Sequence, residues 1–386
     1  MSQLCKQMLV FWTVACAAMS GVAKQPGAPT AGGLEMATAE RLQLPGWWPT
    51  KSTFAESEYL GPQACAECHS AEAESQRKTP MAQAGGRAED SAILQGHEHL
   101  SFHLGAYDYD VAHTDREATY SVSDGKQSLS VRLAWAFGEG EVGQTFLFEQ
   151  GGTYYEGHLS FYPILQELDI TPGHAHSVPS DLEQALVRRM DREETQHCFA
   201  CHTTRSATGD EFHPDRLLPG VTCEACHGPG AKHVAAMKGG NVQEGLAAIL
   251  NPARLSPVDS VDFCGACHRT WADVEEAGFE GVSTLRFHPY RLENSRCWGK
   301  GDARLTCLAC HDPHQPLVHE PGAYDKTCLG CHPRTPGVAL TAEHPRKACP
   351  RATRDCVFCH MPKREVPDTH TLFTDHWIAI DREGKH

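Results

Sequence analysis

The sequence predicts a mainly α-helical chain with extensive irregular coil and one small antiparallel β insertion. Three observations favour this fold class. The pattern C-x-x-C-H recurs seven times among short segments that suit helices, and strict apolar alternation is confined to about residues 97–165. The rest of the 386 residues shows little long-range periodicity. The repeated motif is therefore the feature around which the fold has to be explained.

Each motif has two cysteines separated by two residues and a histidine directly after the second cysteine. Two thiols at this spacing can add to the vinyl groups of one haem, and the histidine then ligates its iron from the proximal side. The pattern predicts seven covalently attached haem c groups and a multihaem cytochrome c fold built around haems. We number the motifs in chain order: 1, Cys65/Cys68/His69; 2, Cys198/Cys201/His202; 3, Cys223/Cys226/His227; 4, Cys264/Cys267/His268; 5, Cys307/Cys310/His311; 6, Cys328/Cys331/His332; 7, Cys356/Cys359/His360.

Cysteine pairs at this spacing also occur in structural zinc sites and in thioredoxin-like redox centres. Zinc does not require histidine at the next position, yet all seven pairs have one. Redox motifs occur singly beside a βαβ pattern. Both alternatives explain the repeat less well than haem attachment.

Motifs 2 to 7 share residues 198–360. So few residues for each motif cannot build an ordinary hydrophobic core. The porphyrins are expected to form the core of this six-haem region, with short helices and turns wrapped around them.

The β insertion, at about residues 97–165, is predicted from alternation and from two hairpin signals. Asp124-Gly125 marks one turn, and residues 149–152 join a second pair of strands at 145–148 and 153–155. The residues that alternate are Leu129, Val131, Leu133, Trp135 and Phe137. We expect a structural lid over haem edges, with a docking or substrate-shielding element as the alternative.

The N-terminus has the features of an export signal. Residues 1–23 hold Lys6, an apolar run from Met8 to Ala18, and a small-residue cleavage site. An uncleaved anchor is the alternative, although the run is too short to span a bilayer. We therefore predict a periplasmic or extracellular protein with no membrane span in the mature chain.

The remaining chain divides into three parts. Residues 24–58, rich in proline and glycine, are predicted to be a flexible arm, residues 59–380 the cytochrome domain, and residues 381–386 a C-terminal tail. The formal net charge is −15. This charge disfavours nucleic acid and anionic membranes as partners and favours soluble redox proteins.

Second iron ligands are sought among the other histidines, because the chain has 24. His233 follows a Gly-Pro-Gly turn after motif 3, and His314 comes three residues after His311, which suits a neighbouring haem. His370 and His376 follow motif 7 in a segment with no other evident role. The weaker candidates are His103, His174, His213 and His288.

Two further residue types stay open. Met81 follows motif 1 and is a candidate thioether ligand, with a core role as the alternative. Cys297 and Cys349 lie outside the motifs and the signal segment. In an oxidising compartment they either form a disulfide or remain free thiols or ligands.

Four segments carry a family resemblance: CHGPGAKH from Cys226, NPARLSP from Asn251, SRCWG before LTCLACHDPH, and DCVFCHMPK followed by FTDH. They resemble the multihaem cytochromes of the cytochrome c-552/c-554-like group with doubled C-x-x-C-H motifs. The resemblance covers about residues 59–380. It implies that His233, His314 and His376 are distal ligands and that Cys297 and Cys349 are structural. Relatives commonly have histidine where this chain has Met81, which leaves the ligation of motif 1 open.

Three functions are considered. The leading hypothesis is electron transfer between a quinol-linked donor and a periplasmic or outer-membrane acceptor, without catalysis. The second is an oxidoreductase that acts on a small nitrogen or sulfur compound at a haem without a distal ligand. The third is a subunit of an extracellular or outer-membrane electron conduit, suggested by the extended arm.

Overall fold

The computed structural model describes residues 48–114, 117–138, 140–209, 211–298, 302, 304–332 and 353–380. Of the described residues, 36% are helical and 23% lie in strands. The prediction of a mainly α fold with a small β insertion is therefore wrong, and the fold is mixed. The physical reason is that the chain between motifs 1 and 2 builds two sheets around an apolar core of its own.

A four-stranded antiparallel meander forms the first sheet, in the order β2-β3-β4-β5. Alternate residues of β3 and β4, including Tyr109 and Tyr120, are buried, and the other face is polar. The predicted turn at Asp124-Gly125 is confirmed, since it joins β4 to its antiparallel partner β5. The strand bounds are β2 His99–Leu104, β3 Tyr107–His113, β4 Ala118–Ser123 and β5 Ser128–Arg132.

A six-stranded antiparallel sheet follows the order β1-β6-β7-β8-β10, with β9 paired to the second half of β8. The predicted hairpin across residues 149–152 is confirmed as β7 and β8. The strand bounds are β1 Gly85–Arg87, β6 Trp135–Phe137, β7 Gln144–Gln150, β8 Thr153–Tyr162, β9 Glu167–Ile170 and β10 Val187–Arg189.

The alternating run from Leu129 to Phe137 is divided between the two sheets. Its first half is β5 and its second half is β6. The Leu133 N–H donates to Ala118 O at 2.8 Å in one sheet, and the next N–H donates to Leu147 O at 2.8 Å in the other. The inner faces of both sheets share one apolar cluster that includes Tyr109, Tyr120, Phe146, Leu159 and Phe161. We call residues 85–189 the β region.

The helices are short, and most of them lie in residues 198–360, which we call the motif region. They are α1 Pro62–Ala66, α2 Ser70–Gln76, α3 Ala92–Gly96, α4 Leu182–Leu186, α5 Arg192–His202, α6 Cys223–His227, α7 Ala231–Lys238, α8 Val242–Ala247, α9 Pro257–His268, α10 Trp271–Ala277, α11 His288–Glu293, α12 Asp325–Cys331 and α13 Cys356–His360. Among the described residues, no helix combines the length and apolarity needed to cross a bilayer.

Short 3₁₀ turns and two-stranded ladders complete the described chain. The 3₁₀ turns are Glu56–Glu58, Ala88–Asp90, Pro252–Arg254, Gly281–Arg286, Cys307–Ala309 and Pro321–Tyr324. The ladders pair β11 Thr203–Thr204 with β14 Leu218–Pro219, β12 Ala207–Thr208 with β13 Glu211–Phe212, and β15 Lys363–Glu365 with β16 Leu372–Thr374.

Side-chain caps set where the motif helices begin. Asp191 accepts from the Glu194 N–H at the start of α5, which carries motif 2. Ser256 accepts from the Asp259 N–H at the start of α9, where Pro257 takes the first helical position. Both caps lie one or two turns before the first cysteine of their motif.

Candidate haem-binding sites

Each motif is folded into a helical turn. In motifs 1, 5 and 6 the histidine N–H donates to the carbonyl of the first cysteine at 2.9 Å. Helices α5, α6, α9 and α13 end at the histidine of their motif. Residues three and four apart share one face of a helix, so both thiols and the imidazole of a motif lie on the same side.

Backbone carbonyls fix the tautomer of five histidines that belong to the motifs or to the predicted distal ligands. An imidazole that donates from Nδ1 carries its lone pair on Nε2, which is then available to a metal. Three of the five belong to motifs, and the other two are predicted distal ligands. The bonds from Nδ1 are His202 to Ala84 O at 2.7 Å, His227 to Leu250 O at 2.8 Å, His233 to Gly245 O at 2.8 Å, His360 to Ala379 O at 2.9 Å and His376 to Thr374 O at 2.9 Å.

Four motif histidines lie opposite another histidine ring. A metal–imidazole bond is about 2 Å long and the nitrogen lies about 1 Å from the ring centre, so two imidazoles on one metal have centres about 6 Å apart. The centroid distances are 6.4 Å for His69 and His233, 6.0 Å for His227 and His314, 5.9 Å for His268 and His288, and 6.2 Å for His311 and His376. The spacing fits an iron between the rings of each pair.

Burial keeps several of these rings neutral. It lowers the pKa of the motif histidines His227 and His311 below its usual range. It also lowers the pKa of His288, and that of His376 to about 4. A neutral imidazole is the form that ligates a metal. These side chains are packed among neighbours without being sealed from solvent, and that of His268 remains exposed.

Several predicted attachment residues are exposed, which disagrees with their expected place inside a core. The thiols of Cys68, Cys310 and Cys359, each the second cysteine of its motif, are exposed. The imidazole of His332 in motif 6 is exposed as well, and no histidine ring faces it within the part of the chain that the structure describes. The physical reason is that these motifs sit on short helical turns with few apolar side chains around them, so the polypeptide alone does not enclose them. Their role in haem attachment stays a prediction from the motif.

The structure brings three predicted distal ligands, His233, His314 and His376, opposite motif histidines. It adds His288, which the sequence ranked among the weaker candidates. His288 is the first residue of α11 and Pro289 follows it. A helix that starts with His-Pro shortly after motif 4 is the signal that could have raised its rank.

Other candidates are bonded elsewhere. The Nε2 of His370 donates to Asp169 at 2.8 Å, and its ring packs against Tyr162 at 4.7 Å. His103 is exposed on the four-stranded sheet and bonds Asp108 through Nδ1 at 2.7 Å. Met81 lies in the turn after α2, where its carbonyl accepts from the Val221 N–H at 2.9 Å.

Thiols of different motifs lie close together. The pairs are Cys65 with Cys223, Cys201 with Cys267, Cys264 with Cys307, and Cys328 with Cys356. Motif 1 therefore lies beside motif 3, motif 2 beside motif 4, motif 4 beside motif 5, and motif 6 beside motif 7.

Hydrogen bonds outside the thiols join two of these pairs and also connect motif 5 with motif 6. The buried Glu224 of motif 3 accepts from the Leu60 N–H at 2.9 Å and the Gly61 N–H at 2.8 Å, at the start of α1. Asp325 of α12 accepts from the Cys356 N–H of motif 7 at 2.9 Å. The Thr327 hydroxyl donates to Ala309 O at 3.0 Å, which joins motif 6 to motif 5.

Motif 2 is the motif that packs on the β region. Phe199, between its two cysteines, is fully buried. Its ring lies 5.1 Å from Trp135, 4.9 Å from Phe137 and 5.1 Å from Tyr154, all in strands of the six-stranded sheet. Motif 2 therefore rests on an apolar surface built by the six-stranded sheet.

Comparison with known proteins supports the same cofactor. A model of the family described as cytochrome c554 and c-prime matches residues 173–228, which hold motifs 2 and 3. The chain is also 27% identical over 187 residues to the multihaem cytochrome MtrA of Shewanella baltica (strain OS185). Both matches support the predicted recognition of the chain as a multihaem c-type cytochrome.

The match to MtrA covers 43% of this cytochrome and 53% of that protein, so the chain spans about half the length of the curated relative it matches. The crystal structure of the outer cell wall cytochrome OcwA aligns with 83% of this cytochrome and 79% of that chain, with a TM-score of 0.48 and 14% identity. The predicted recognition of a multihaem c-type cytochrome is confirmed by the family model and the match to MtrA, and these two matches also support haem c as the cofactor.

Some sequence predictions lie outside the described residues, among them the signal segment, most of the arm and Cys349. The arm is described from Trp48, which is buried and meets Phe263 of α9 edge-on at 5.5 Å. Cys297 is partly exposed, and burial raises the pKa of its thiol, with a smaller contribution from Cys328 and Cys331. Cys297 therefore lies near motif 6 of this cytochrome.

Proposed function

We propose that this protein is an exported heptahaem c-type cytochrome that transfers electrons between respiratory redox partners. One observation carries the proposal: four motif histidines lie 5.9 to 6.4 Å from a histidine of another segment. An iron with two protein ligands has no position left for substrate. Such sites suit an electron carrier better than an oxidoreductase.

Haem c, when bound, supplies a reversible one-electron couple. The chain anchors it through the paired cysteines of each motif and ligates it with the motif histidine. We assign the second ligands as His233 for motif 1, His314 for motif 3, His288 for motif 4 and His376 for motif 5. Bonds from Nδ1 to backbone carbonyls hold the rings of His233 and His376 in place.

The contacts between motifs support an order for the attachment sites. Motifs 1 and 3 form one end, motifs 4 and 5 the middle, and motifs 6 and 7 the other end. Motif 2 lies to the side, between motif 4 and the β region. His314, directly after motif 5, faces His227 of motif 3 and so joins the first end to the middle. We expect electrons to enter and leave through motifs at the ends or through motif 2.

The formal net charge of −15 supports partners with basic docking surfaces. Association with such partners is expected to slow as salt is added, because long-range steering is screened. The export features of residues 1–23 and the haem attachment chemistry support a periplasmic or extracellular location. A quinol-linked donor and a periplasmic or outer-membrane acceptor remain the proposed partners.

Two measurements on the purified mature protein test the proposal. Intact mass should show seven attached haems, and the ferric electron paramagnetic resonance spectrum should show low-spin iron for motifs 1, 3, 4 and 5. A colourless protein would overturn the haem assignment. A high-spin signal that shifts with nitrite, hydroxylamine or sulfite would overturn the purely electron-carrying role in favour of catalysis.

A further inference from the structure

A buried ion pair joins the two segments that carry the proposed second ligands of motifs 4 and 5. Arg291 of α11 is 4% exposed and Asp375 is 2% exposed. Arg291 donates from Nε to one carboxylate oxygen of Asp375 at 2.9 Å and from Nη2 to the other at 2.6 Å. This two-point geometry fixes the orientation of both groups, which a single bond would not do.

Each partner stands close to one of the proposed ligands. His288 begins α11, and Arg291 follows it by three residues on the same face of that helix. Asp375 is the residue directly before His376. The two imidazole rings are themselves 4.4 Å apart, and the His288 ring lies 5.9 Å from His268 while the His376 ring lies 6.2 Å from His311.

Further contacts hold the pair in place. The guanidinium of Arg291 lies over the Trp377 ring at 4.7 Å, and the Trp377 N–H donates to Asp375 at 2.8 Å. Ser295, just beyond α11, donates to the His376 carbonyl at 2.9 Å and accepts from the Ile378 N–H at 2.8 Å. The segment 375–378 is therefore fixed on α11 from both sides of His376.

Replacing two buried charges with apolar side chains is often neutral for stability, so a buried pair by itself does not explain what the fold gains from it. The fork between Arg291 and Asp375 does set the position of α11 relative to the segment 375–378. That position decides whether His288 and His376 reach their irons together.

We propose that Arg291 and Asp375 are positioning residues that align His288 and His376 as the second ligands of motifs 4 and 5. The inference rests on the proposed haem ligation. It predicts that one substitution in the pair alters two haems at once, whereas loss of either ligand alters one.

The test uses haem-loaded protein and ferric electron paramagnetic resonance. Reference variants His288→Ala and His376→Ala should each convert one haem from low spin to high spin. Asp375→Asn keeps the shape but weakens the two-point contact, and it should move two of the seven haems from low spin and shift the reduction potentials of those two. Arg291→Lys keeps the charge without the fork and should give a smaller change of the same kind.

Because a lone buried charge can prevent folding, the double variant Arg291→Met/Asp375→Leu provides a second measurement. It removes both charges, so the protein can keep its stability while the fork is lost. High-spin iron at two haems in this variant supports the inference. A double variant with wild-type far-UV circular dichroism and wholly wild-type low-spin haem would overturn it.

The exposed pair of Arg132 and Glu89, with Nη2 and Oε2 2.9 Å apart on the β region, supplies the matched control. Arg132→Met should leave all haem spectra unchanged, and an equal effect there would contradict a specific role for Arg291. If His288→Ala and His376→Ala leave the spectra unchanged, the proposed ligation fails instead. The two failures are therefore distinguishable.

Discussion

The β region and the motif region differ in what fills their interiors. The apolar cluster between the two sheets contains eighteen buried residues of the described chain. A cluster in the motif region is built on three, Val261, Leu292 and Trp298. The first region can fold by burying its own side chains, whereas the second has short helices and half-exposed motif residues. We expect attachment of the proposed haems to drive folding of the motif region, whereas the β region folds without them.

The largest expected effect comes from withholding the cofactor. In the full chain produced without haem attachment, we expect amide hydrogen exchange to remain slow in β3, β4, β7 and β8. Helices of the motif region should exchange rapidly, because little buried apolar area holds them together. The holoprotein, in which both regions should be protected, is the comparison. Equal protection of the two regions in haem-free protein would show that the motif region folds unaided.

A substitution in the apolar core of the β region should destabilise that region and spare the motif region. Phe146 is fully buried between the sheets. Phe146→Ala should lower the free energy of unfolding of this region by about 3–5 kcal/mol, since it removes a buried aromatic ring and leaves a cavity. Exchange rates of strand amides in the holoprotein measure the loss. Haem spectra of motifs 6 and 7 should not change.

The control is Ile164→Ala, because Ile164 is 70% exposed in the turn between β8 and β9. Its effect should be within about 0.5 kcal/mol. Similar losses for both variants would argue that the core described between the sheets does not stabilise the region.

The smallest effect concerns pH. His158 in β8 is buried, and burial, followed by the charge of His174 and His176, lowers its pKa to about 4. Above pH ~6.5 this side chain is neutral in both the folded and the unfolded chain. As the pH falls from about 6.5 towards 4, only the unfolded chain takes up the proton, so stability is lost, by on the order of 3 kcal/mol at the acid end.

Strand amide exchange at pH 7 and pH 5 measures this loss, and His158→Gln should reduce its dependence on pH. Glu156, His174 and Arg188 surround the same site, with His174 Nε2 2.8 Å from Glu156 and the Arg188 guanidinium bonded to the same carboxylate. His174→Gln therefore serves as a comparison. If His158→Gln keeps the full pH dependence, the titration belongs to another group.

The sequence predicted features formed by residues close together in the chain, and it missed contacts between residues far apart in the chain. The motifs could be recognised because their two thiols and their imidazole lie within five consecutive residues. The hairpins at Asp124-Gly125 and at residues 149–152 could be read for the same reason. Strands β1, β9 and β10 have three or four residues each, too few to show a period, so the extent of the β structure and the mixed fold class could not be seen.

Separation in the sequence also explains why His288 was ranked low and His370 was ranked high as ligand candidates. His288 stands opposite His268 only because α11 folds back on α9, which no local pattern encodes. His370 was a candidate because its segment had no other evident role. The structure gives it one, since Asp169, far back in β9, accepts its hydrogen bond. The alternation from Leu129 to Phe137 gives no sign of the change of sheet at Leu133, because that change leaves the period of two intact.

Glu224 has a consequence for the order in which the chain assembles. Its carboxylate receives the Gly61 N–H across 163 residues of sequence, and Gly230 donates to the same side chain at 2.8 Å. Motif 1 therefore lacks this particular anchor until motif 3 has reached its place in the fold. We expect the contact between Gly61 and Glu224 to form slowly during folding, because it joins residues that are far apart in the sequence.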